Sequence, residues 1–265
     1  MTTITKITAQ KKRTDRYNIF LDHGKGEEYG FSVDEDVLIK HSLKKGMVLD
    51  DLLLSKIAYS DDIRKAYNTA VNYLARMMRT EAEIRKHLVE KEVDDVIIQE
   101  VIHKLNEYQF LNDEQLAFAY VRTQMNTTDK GPTVIKRELK EKGISEAYIL
   151  EAIDEFPFEL QLEKAIALCE KYMKKNKQES QKIMKQKIEQ LLFRKGYTSE
   201  VNQIALEQIE DTSDDEELES LRYQAEKLER KYSKYTGYEY KQKMKQALYR
   251  KGFSIDVITK YLESK

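Results

Sequence analysis

The sequence predicts a mainly α-helical protein in which tandem three-helix repeats form an elongated, curved array behind a small β-rich N-terminal domain. The first observation is a motif written four times, as Leu192–Thr198 and near residues 88–94, 139–145 and 248–254. Its equivalent positions 92, 143, 196 and 252 lie 51, 53 and 56 residues apart, a period typical of repeat architectures. The second is composition, since 35% charged residues with few Gly and Pro favour exposed helices over sheet. The third is that the first 60 residues follow a strand pattern.

In the N-terminal domain, apolar and polar residues alternate over Ile4–Thr8 and Tyr17–Leu21. Such alternation is typical of half-buried strands. Residues Asp22–Gly26 predict a hairpin turn, and Tyr29–Val33 predicts a returning strand. Asp34 suits the N-cap of a short helix. We expect a small antiparallel sheet with one helix, packed on the neighbouring repeat because three strands alone are marginal.

From about Asp61 the apolar period becomes helical. Thr80-Glu-Ala-Glu83 is a capping box that opens the second helix of the first repeat, and Asp94 opens the third. Pro132 suits the first turn of the corresponding second helix in the next repeat. We expect Met77-Met78 to belong to the core. The predicted divisions are a β-rich domain at 1–60 and three-helix repeats at 61–109, 110–156, 157–210 and 211–265.

The repeated motif ends one helix and starts the next. A glycine at the C′ position adopts the left-handed conformation at little steric cost, and Gly196 places Leu192 and Tyr197 as the apolar pair of a Schellman cap. Thr198 then provides an N-cap. We interpret Gly143, Gly196 and Gly252 as structural helix junctions and not as part of a chemical site. In the earliest copy Glu92 replaces the glycine.

The residues that catalysis would require are missing. The four histidines show no metal-ligand spacing, and Gly24-Lys-Gly26 is too short for a phosphate-binding loop. Cys169 is the only cysteine, which excludes a disulfide framework and fits a reducing cytoplasm. The sequence therefore predicts a non-enzymatic protein without a metal or cofactor.

Targeting signals are also missing. The chain starts without the apolar run of a signal peptide, and no segment approaches the roughly 20 apolar residues of a membrane span. We expect a cytoplasmic protein that does not bind membranes.

Charge is distributed unevenly although the formal net charge is only −1. The predicted second helix of every repeat is basic, whereas the third is acidic or neutral, as in Glu146–Glu155. A solvated face explains any single helix, but four basic second helices indicate a shared stripe. Helix, glycine turn and helix also fit a helix-turn-helix, yet its recognition helix would bring carboxylates to phosphates, which disfavours duplex reading. The same argument does not exclude contacts between the basic helices and a nucleic-acid backbone. The basic residues are Arg85, Lys86, Lys136, Arg137, Lys140, Lys185, Lys187, Lys241, Lys243 and Lys245.

The stretch from Tyr73 to Ile153 resembles the RecX family of recombination regulators. The resemblance is carried by the capped basic helix after Tyr73, by Phe110-Leu-Asn-Asp-Glu, and by Lys130-Gly-Pro with the basic helix that follows. Later repeats match through Arg-Lys-Gly, and the N-terminal extension with a fourth repeat is similar to the long Gram-positive form. Glu92 departs from the family, which usually has Gly there.

The resemblance implies a regulator that binds the RecA recombinase filament on single-stranded DNA and inhibits its ATPase and strand-exchange activities. It also implies that the protein can contact the sugar-phosphate backbone of single- or double-stranded DNA. We expect a monomer whose repeats reach over more than one filament protomer. The alternative is a nucleic-acid-binding repeat protein that acts through naked DNA. As RecA- or DNA-binding residues we select Arg76, Arg79, Arg85, Lys86, Arg122, Lys136, Arg137, Arg194 and Arg250.

Overall fold

The fold begins with an antiparallel sheet in the order β3-β2-β1-β4, as seen in a computed structural model that describes residues 2–209 and 213–264. β1 pairs with β2 and β4, and β2 pairs with β3. The predicted strands and helix are confirmed, and β4 is a two-residue strand that the sequence pattern did not indicate. The elements are β1 (Thr2–Ala9), β2 (Arg16–Asp22), β3 (Glu27–Asp34), α1 (Glu35–Lys40) and β4 (Val48–Leu49).

Local hydrogen bonds explain why these segments turn where they do. The Asp22 carboxylate accepts hydrogen bonds from the backbone N–H groups of Gly24, Lys25 and Gly26, and these bonds lower the pKa of Asp22. Asp34 caps α1 by accepting from the N–H of Asp36. One face of the sheet is buried against α1 and the following helix: the strands contribute Ile4, Ile19, Leu21 and Val33, and α1 contributes Val37.

A 24-residue helix, α2 (Asp51–Leu74), connects the sheet to the first repeat. It starts ten residues before the predicted position because Asp50 caps it, accepting from the N–H of Leu53. Its N-terminal half contributes Ile57 to the core of the sheet domain. Its C-terminal half contributes Ala66 and Ala70 to the core of the first repeat.

The chain divides into two compact units. Unit 1 comprises Met1–Leu116 with Lys142–Ile144, and unit 2 comprises Ala117–Glu141 with Ser145–Lys265. In unit 1 the first repeat is completed by α3 (Glu81–Val89) and α4 (Asp95–Glu107).

Of two predictions for the first repeat, one is confirmed and one is wrong. Thr80 forms the predicted capping box with Glu83. The expectation that Met77 and Met78 are core residues was wrong: they are 54% and 55% exposed, since α2 ends before them.

The remaining helices repeat the three-helix pattern, and Pro132 begins a helix as predicted. The acidic segment after the third repeat contributes a helix N-terminus, capped by Ser213. Its residues Asp211 and Thr212, and the predicted boundary between 210 and 211, lie outside the described residues. No helix in the described ranges is long and apolar enough to cross a bilayer. The helices are α5 (Asp113–Thr127), α6 (Pro132–Glu141), α7 (Glu146–Ile153), α8 (Phe158–Lys175), α9 (Gln181–Lys195), α10 (Ser199–Gln208), α11 (Asp214–Tyr232), α12 (Gly237–Arg250) and α13 (Ile255–Glu263).

The glycine motif forms the predicted cap. Gly196 has φ +89° and donates its N–H to the carbonyl of Phe193 at 3.0 Å, while the N–H of Tyr197 reaches the carbonyl of Leu192 at 3.1 Å. These are the two bonds of a Schellman motif. Thr198 then caps α10, accepting from the N–H of Val201.

Candidate functional site

The glycine motif also joins each repeat to the one before it. In unit 2 the Gly131 N–H donates to the carbonyl of Lys195 at 2.7 Å, and the Thr133 N–H donates to the carbonyl of Gly196 at 3.0 Å. At the next joint, the Ser180 hydroxyl donates to the carbonyl of Lys251 at 2.6 Å. The N-terminus of the second helix of one repeat therefore meets the C-terminus of the second helix of the next repeat. We call each such contact a joint. Donors and carbonyls that helix ends leave without intrahelical partners are satisfied there.

The joint explains why the motif carries glycine. A Cβ on Gly196 would lie 2.6 Å from the backbone nitrogen of Val134, and one on Gly252 would lie 2.5 Å from the Ser180 hydroxyl oxygen. Both residues also have φ near +90°. Glycine is thus required twice, for the left-handed cap and for the close approach.

Unit 1 contains a joint of the same kind. The Thr80 hydroxyl donates to the carbonyl of Lys142 at 2.6 Å, and a Cβ on Gly143 would lie 2.3 Å from the Cβ of Ala82. Lys142 also pairs with Glu83 at 3.2 Å. Burial alone would raise the pKa of Glu83, but hydrogen bonds from the Thr80 N–H and the Lys142 ammonium outweigh it and lower the pKa.

Glu92 shows the motif without a joint. It has φ +59° and is exposed, and it caps α3 through the N–H bond to the carbonyl of Val89 at 2.9 Å. Because no backbone bond from another repeat reaches it in the described part of the chain, only the conformational cost of a side chain remains.

The joints bring three basic helices of unit 2 into one series, α12 to α9 to α6, which we call the basic row. Each joint places the C-terminal basic pair of a helix beside the N-terminus of its neighbour: Arg194-Lys195 at one joint and Arg250-Lys251 at the other. The sequence predicted that the Lys and Arg residues concentrate on the second helix of each repeat. The row itself follows from hydrogen bonds between residues 68 and 71 positions apart, which the sequence does not display.

Four of the selected site residues are engaged within the protein. Arg85 pairs with Glu81 at 2.8 Å, and Arg137 approaches Glu141 at 3.8 Å. Arg79 lies 4.4 Å from the ring centroid of Tyr73 and 3.7 Å from Glu83. Arg122 binds Glu155 with its Nε at 2.6 Å, and this hydrogen bond lowers the pKa of Glu155. Arg85 and Arg137 therefore pair within their own helices, whereas Arg122 links α5 to the segment after α7.

The other selected residues are more available to a partner. Arg76, Lys86, Arg194 and Arg250 are exposed and Lys136 is half-buried. Within residues 2–209 and 213–264 none of the five forms an ion pair. The structure brings Arg194 and Arg250 to equivalent positions of neighbouring repeats, each two residues before the junction glycine.

Two exposed aromatic side chains beside these arginines were missed. Phe193 is 75% exposed and Tyr249 is 56% exposed, each directly before its arginine. The sequence did contain the signal, because the buried face of α9 is Met184, Ile188 and Leu192. A residue directly after the last of these points away from that face.

The titratable groups at the core of the repeats serve packing. Burial raises the pKa of the Cys169 thiol to about 11, so the thiolate nucleophile is not formed near neutral pH. Burial, with the nearby Asp129 charge, raises the pKa of the Tyr197 hydroxyl to about 12. Among the described residues, no group of His, Cys, Asp and Glu side chains could hold a metal ion.

The structure defines a helical-repeat protein with a small β-domain and, in unit 2, a row of basic helices. Family models match along the chain. Residues 2–50 match the regulatory protein RecX N-terminal domain, and residues 66–105 and 112–153 match the first and second RecX three-helix domains. The third RecX three-helix domain matches twice, at 159–206 and 214–262.

Sequences of RecX proteins align with the whole chain. The "Regulatory protein RecX" sequences of Bacillus thuringiensis (strain Al Hakam) and Bacillus cereus (strain AH187) are each 48% identical over 266 residues, covering 100% of this chain and 98% of theirs. The chain belongs to the RecX family.

Solved structures agree. A crystal structure of regulatory protein RecX, 38% identical, aligns with a TM-score of 0.70 over 78% of this chain and 100% of its own. That of RecX from Lactobacillus salivarius, 37% identical, aligns with a TM-score of 0.54 over 56% and 96%.

Proposed function

We propose that the protein binds the RecA filament on single-stranded DNA and inhibits its ATPase and strand-exchange activities, as a regulator of recombination and repair. The observation that carries the proposal is membership of the RecX family over the full chain. In this proposal the basic row provides the contacts with acidic RecA surface or with the enclosed strand. Arg194 and Arg250 are the leading contact residues because both are exposed and neither is used in an ion pair within the described residues.

The joints support a regulator that binds a polymer. A series of helices fixed end to end presents its charges at a repeating interval, and a filament presents its protomers at a repeating interval. A rigid series holds the arginines in position before binding, which reduces the conformational entropy lost in the complex.

One observation favours a second candidate, a protein that acts through naked DNA. Phe193 beside Arg194 and Tyr249 beside Arg250 combine an exposed ring with a cation. Proteins that bind single strands use such rings to stack bases and such cations to contact phosphates. The same two pairs therefore fit both candidates, and an experiment is needed to separate them.

The test measures RecA ATPase on single-stranded DNA at substoichiometric protein, and binding to naked DNA in parallel. We expect inhibition well below one protein per RecA. Changing both Arg194 and Arg250 to Glu should weaken this inhibition by at least about tenfold, since two charge interactions of roughly 1 kcal/mol each are removed and repulsion takes their place.

The matched control changes Arg222 and Arg230 to Glu. Both lie exposed on α11, outside the basic row, and the substitution alters net charge equally. Inhibition should survive in the control. Inhibition that appears only when the DNA itself is saturated would select the naked-DNA candidate, and unchanged RecA activity would point to a different partner.

A further inference from the structure

The turn from α11 into α12 in the fourth repeat interleaves tyrosines with lysines. Residues 231–245 contain five lysines and four tyrosines but a single carboxylate, that of Glu239. The whole chain is balanced, with 46 basic and 47 acidic residues, so this segment is a local excess of positive charge. A local excess of one sign creates a field that attracts ligands of the opposite sign. The segment is therefore suited to an anion.

A tyrosine ring places two of these lysines side by side. The ammonium nitrogen of Lys243 lies 4.5 Å from the ring centroid of Tyr235, and that of Lys234 lies 5.1 Å from the same centroid. Both distances are within the range of a cation–π attraction. Lys243 also approaches Glu239 at 3.7 Å, whereas Lys234 and Lys241 form no ion pair among the described residues. The charges of Lys234 and Lys241 thus remain available to an anion from outside.

Tyr238 presents a ring that is held at one end and bare on its faces. The ring is 79% exposed, and its hydroxyl oxygen accepts a hydrogen bond from the side-chain nitrogen of Gln242 at 2.6 Å. Neither another ring nor a cation packs on it in the described parts of the chain. Lys241 follows three residues later and lies on the same side of α12. The helix therefore presents a positioned ring next to a cation.

These features together select one class of ligand. The lysines require an anion, and the bare ring requires a flat partner that can stack on it. A nucleotide supplies both, because its phosphate meets the cations and its base meets the ring. In a duplex each base face is covered by the next base pair, so a ring on a protein surface reaches a base face in a single strand. An acidic peptide would use the lysines and leave the ring without a partner.

We propose that this turn binds a single-stranded nucleic acid, with one base stacked on Tyr238 and the neighbouring phosphates in contact with the lysines. We call the site the tyrosine–lysine surface. The ring of Tyr235 holds two of the lysines in place before the strand arrives, which reduces the conformational entropy lost on binding. The surface consists of Lys234, Tyr235, Tyr238, Lys241 and Lys243.

The tyrosine–lysine surface is a different site from the arginines of the basic row. Arg194 and Arg250 lie at the C-terminal ends of α9 and α12, whereas the tyrosine–lysine surface lies at the start of α12. Binding there does not depend on RecA. Its test therefore contains no RecA, and the inference can fail while the proposed regulation of RecA stands.

The test compares two fluorescently labelled strands by anisotropy with the full chain. One is an oligodeoxythymidine of about eight nucleotides, within the range of single-strand site sizes. The other is an abasic strand of equal length, which keeps the sugar-phosphate backbone and its charge but has no bases. We expect the thymidine strand to bind at least about fivefold more tightly, since this is the smaller value of one stacked base.

Substitutions separate stacking from charge. Tyr238→Ala should bring the two affinities together, whereas Tyr238→Phe keeps the ring and should preserve the difference. Because this side chain is exposed, neither variant should change the melting temperature. Lys241→Gln should weaken both strands alike and reduce the logarithmic salt slope by about 0.7. The matched control Tyr223→Ala removes the ring of another tyrosine–lysine pair, with Lys227 at 4.0 Å, and should leave both affinities unchanged.

A photocrosslink locates the base. A strand that contains 5-iodouracil couples on irradiation to an aromatic side chain in contact with the base, and mass spectrometry of the digested protein identifies that side chain. We expect the crosslink on Tyr238. Crosslinks on Phe193 or Tyr249 instead, with no effect of Tyr238→Ala on affinity, would assign the bases to the basic row and overturn the inference.

Two further results would also overturn it. Equal affinity of the unmodified protein for the thymidine and abasic strands would show a surface that attracts charge and stacks no base. Polyglutamate of equal charge that displaces the labelled strand as well as unlabelled oligodeoxythymidine does would identify an acidic protein segment as the occupant. Both results concern this surface and leave the measurement of RecA inhibition unaffected.

Discussion

Arg16 and Asp61 form a buried ion pair at 2.9 Å, between β2 and the middle of α2. Asp61 also accepts from the N–H of Asp34 at 2.9 Å, at the end of β3. Burial alone would raise the pKa of Asp61, but the hydrogen bonds from Arg16 and Asp34 outweigh it and lower the pKa. One carboxylate thereby fixes the sheet to the helix that continues into the first repeat.

Asp61→Asn should lower the free energy of unfolding of unit 1 by about 3–5 kcal/mol, because Arg16 would be left as a buried charge without its partner. The control Asp62→Asn, at an exposed neighbour, should cost no more than about 1 kcal/mol. Urea unfolding followed by circular dichroism measures both. Equal effects of the two substitutions would show that the buried pair contributes nothing specific.

The same pair makes a prediction about pH. The pKa of Asp61 is lower in the folded protein than in the unfolded chain, so the stability it contributes is present above the unfolded pKa of about 3.9. This contribution is lost as the pH falls through the lowered folded pKa. The stability difference between the wild type and Asp61→Asn should therefore shrink in acid.

At this scale the sequence predicts what is local. Caps such as Asp94 and Thr198 were found because their partners lie two or three residues away. The Arg122–Glu155 pair spans 33 residues and could not be found, since in a chain so rich in charge any of many carboxylates could have been the partner.

Among elements, the joint between second helices depends on close backbone contact. Gly196→Ala should lower the free energy of unfolding of unit 2, because a Cβ at φ +89° costs about 1–2 kcal/mol and its contact with the Val134 backbone costs about 1–3 kcal/mol more. Gly46→Ala is the control, with φ +85° and no atom within 4 Å of the added Cβ. Thermal unfolding should show a larger loss of stability for Gly196→Ala than for Gly46→Ala. Equal losses would mean that the joint adjusts to the added Cβ without further cost.

Helices and strands were predicted from periodicity, and the errors have physical causes. The apolar pattern predicted that α2 starts near Asp61, whereas it starts at Asp51. The first part of the helix packs on the sheet and the second part packs in the first repeat, so the two parts do not share one continuous apolar face. β4 is two residues long, too short for any alternation to be visible. The motif was interpreted as a junction within a repeat, and only the fold shows that it also joins repeats.

For the whole molecule, a net charge of −1 means that any attraction to nucleic acid must come from a local surface. If the basic row contacts phosphates, affinity for naked single-stranded DNA should fall with salt. Replacing Arg194 and Arg250 by Glu should reduce the logarithmic salt slope by about 0.7 for each phosphate that is no longer neutralised. The Arg222 and Arg230 control should leave the slope unchanged; a reduction of the same size there would mean that the general charge, and not the row, attracts the DNA.

The joints of unit 2 have a direction, and this direction distinguishes the two ends of the basic row. At the start of α12, Thr236 makes no side-chain capping bond, Gly237 has open space around it, and Tyr238 is 79% exposed. This end resembles the donor side of the existing joints, where N–H groups donate to the Lys and Gly carbonyls of the motif. At the C-terminus of α3, by contrast, Glu92 stands where the later copies of the motif carry the junction glycine. The basic row is therefore polar in the sense that a filament is polar, because its α12 end presents a helix N-terminus that no joint covers among the described residues.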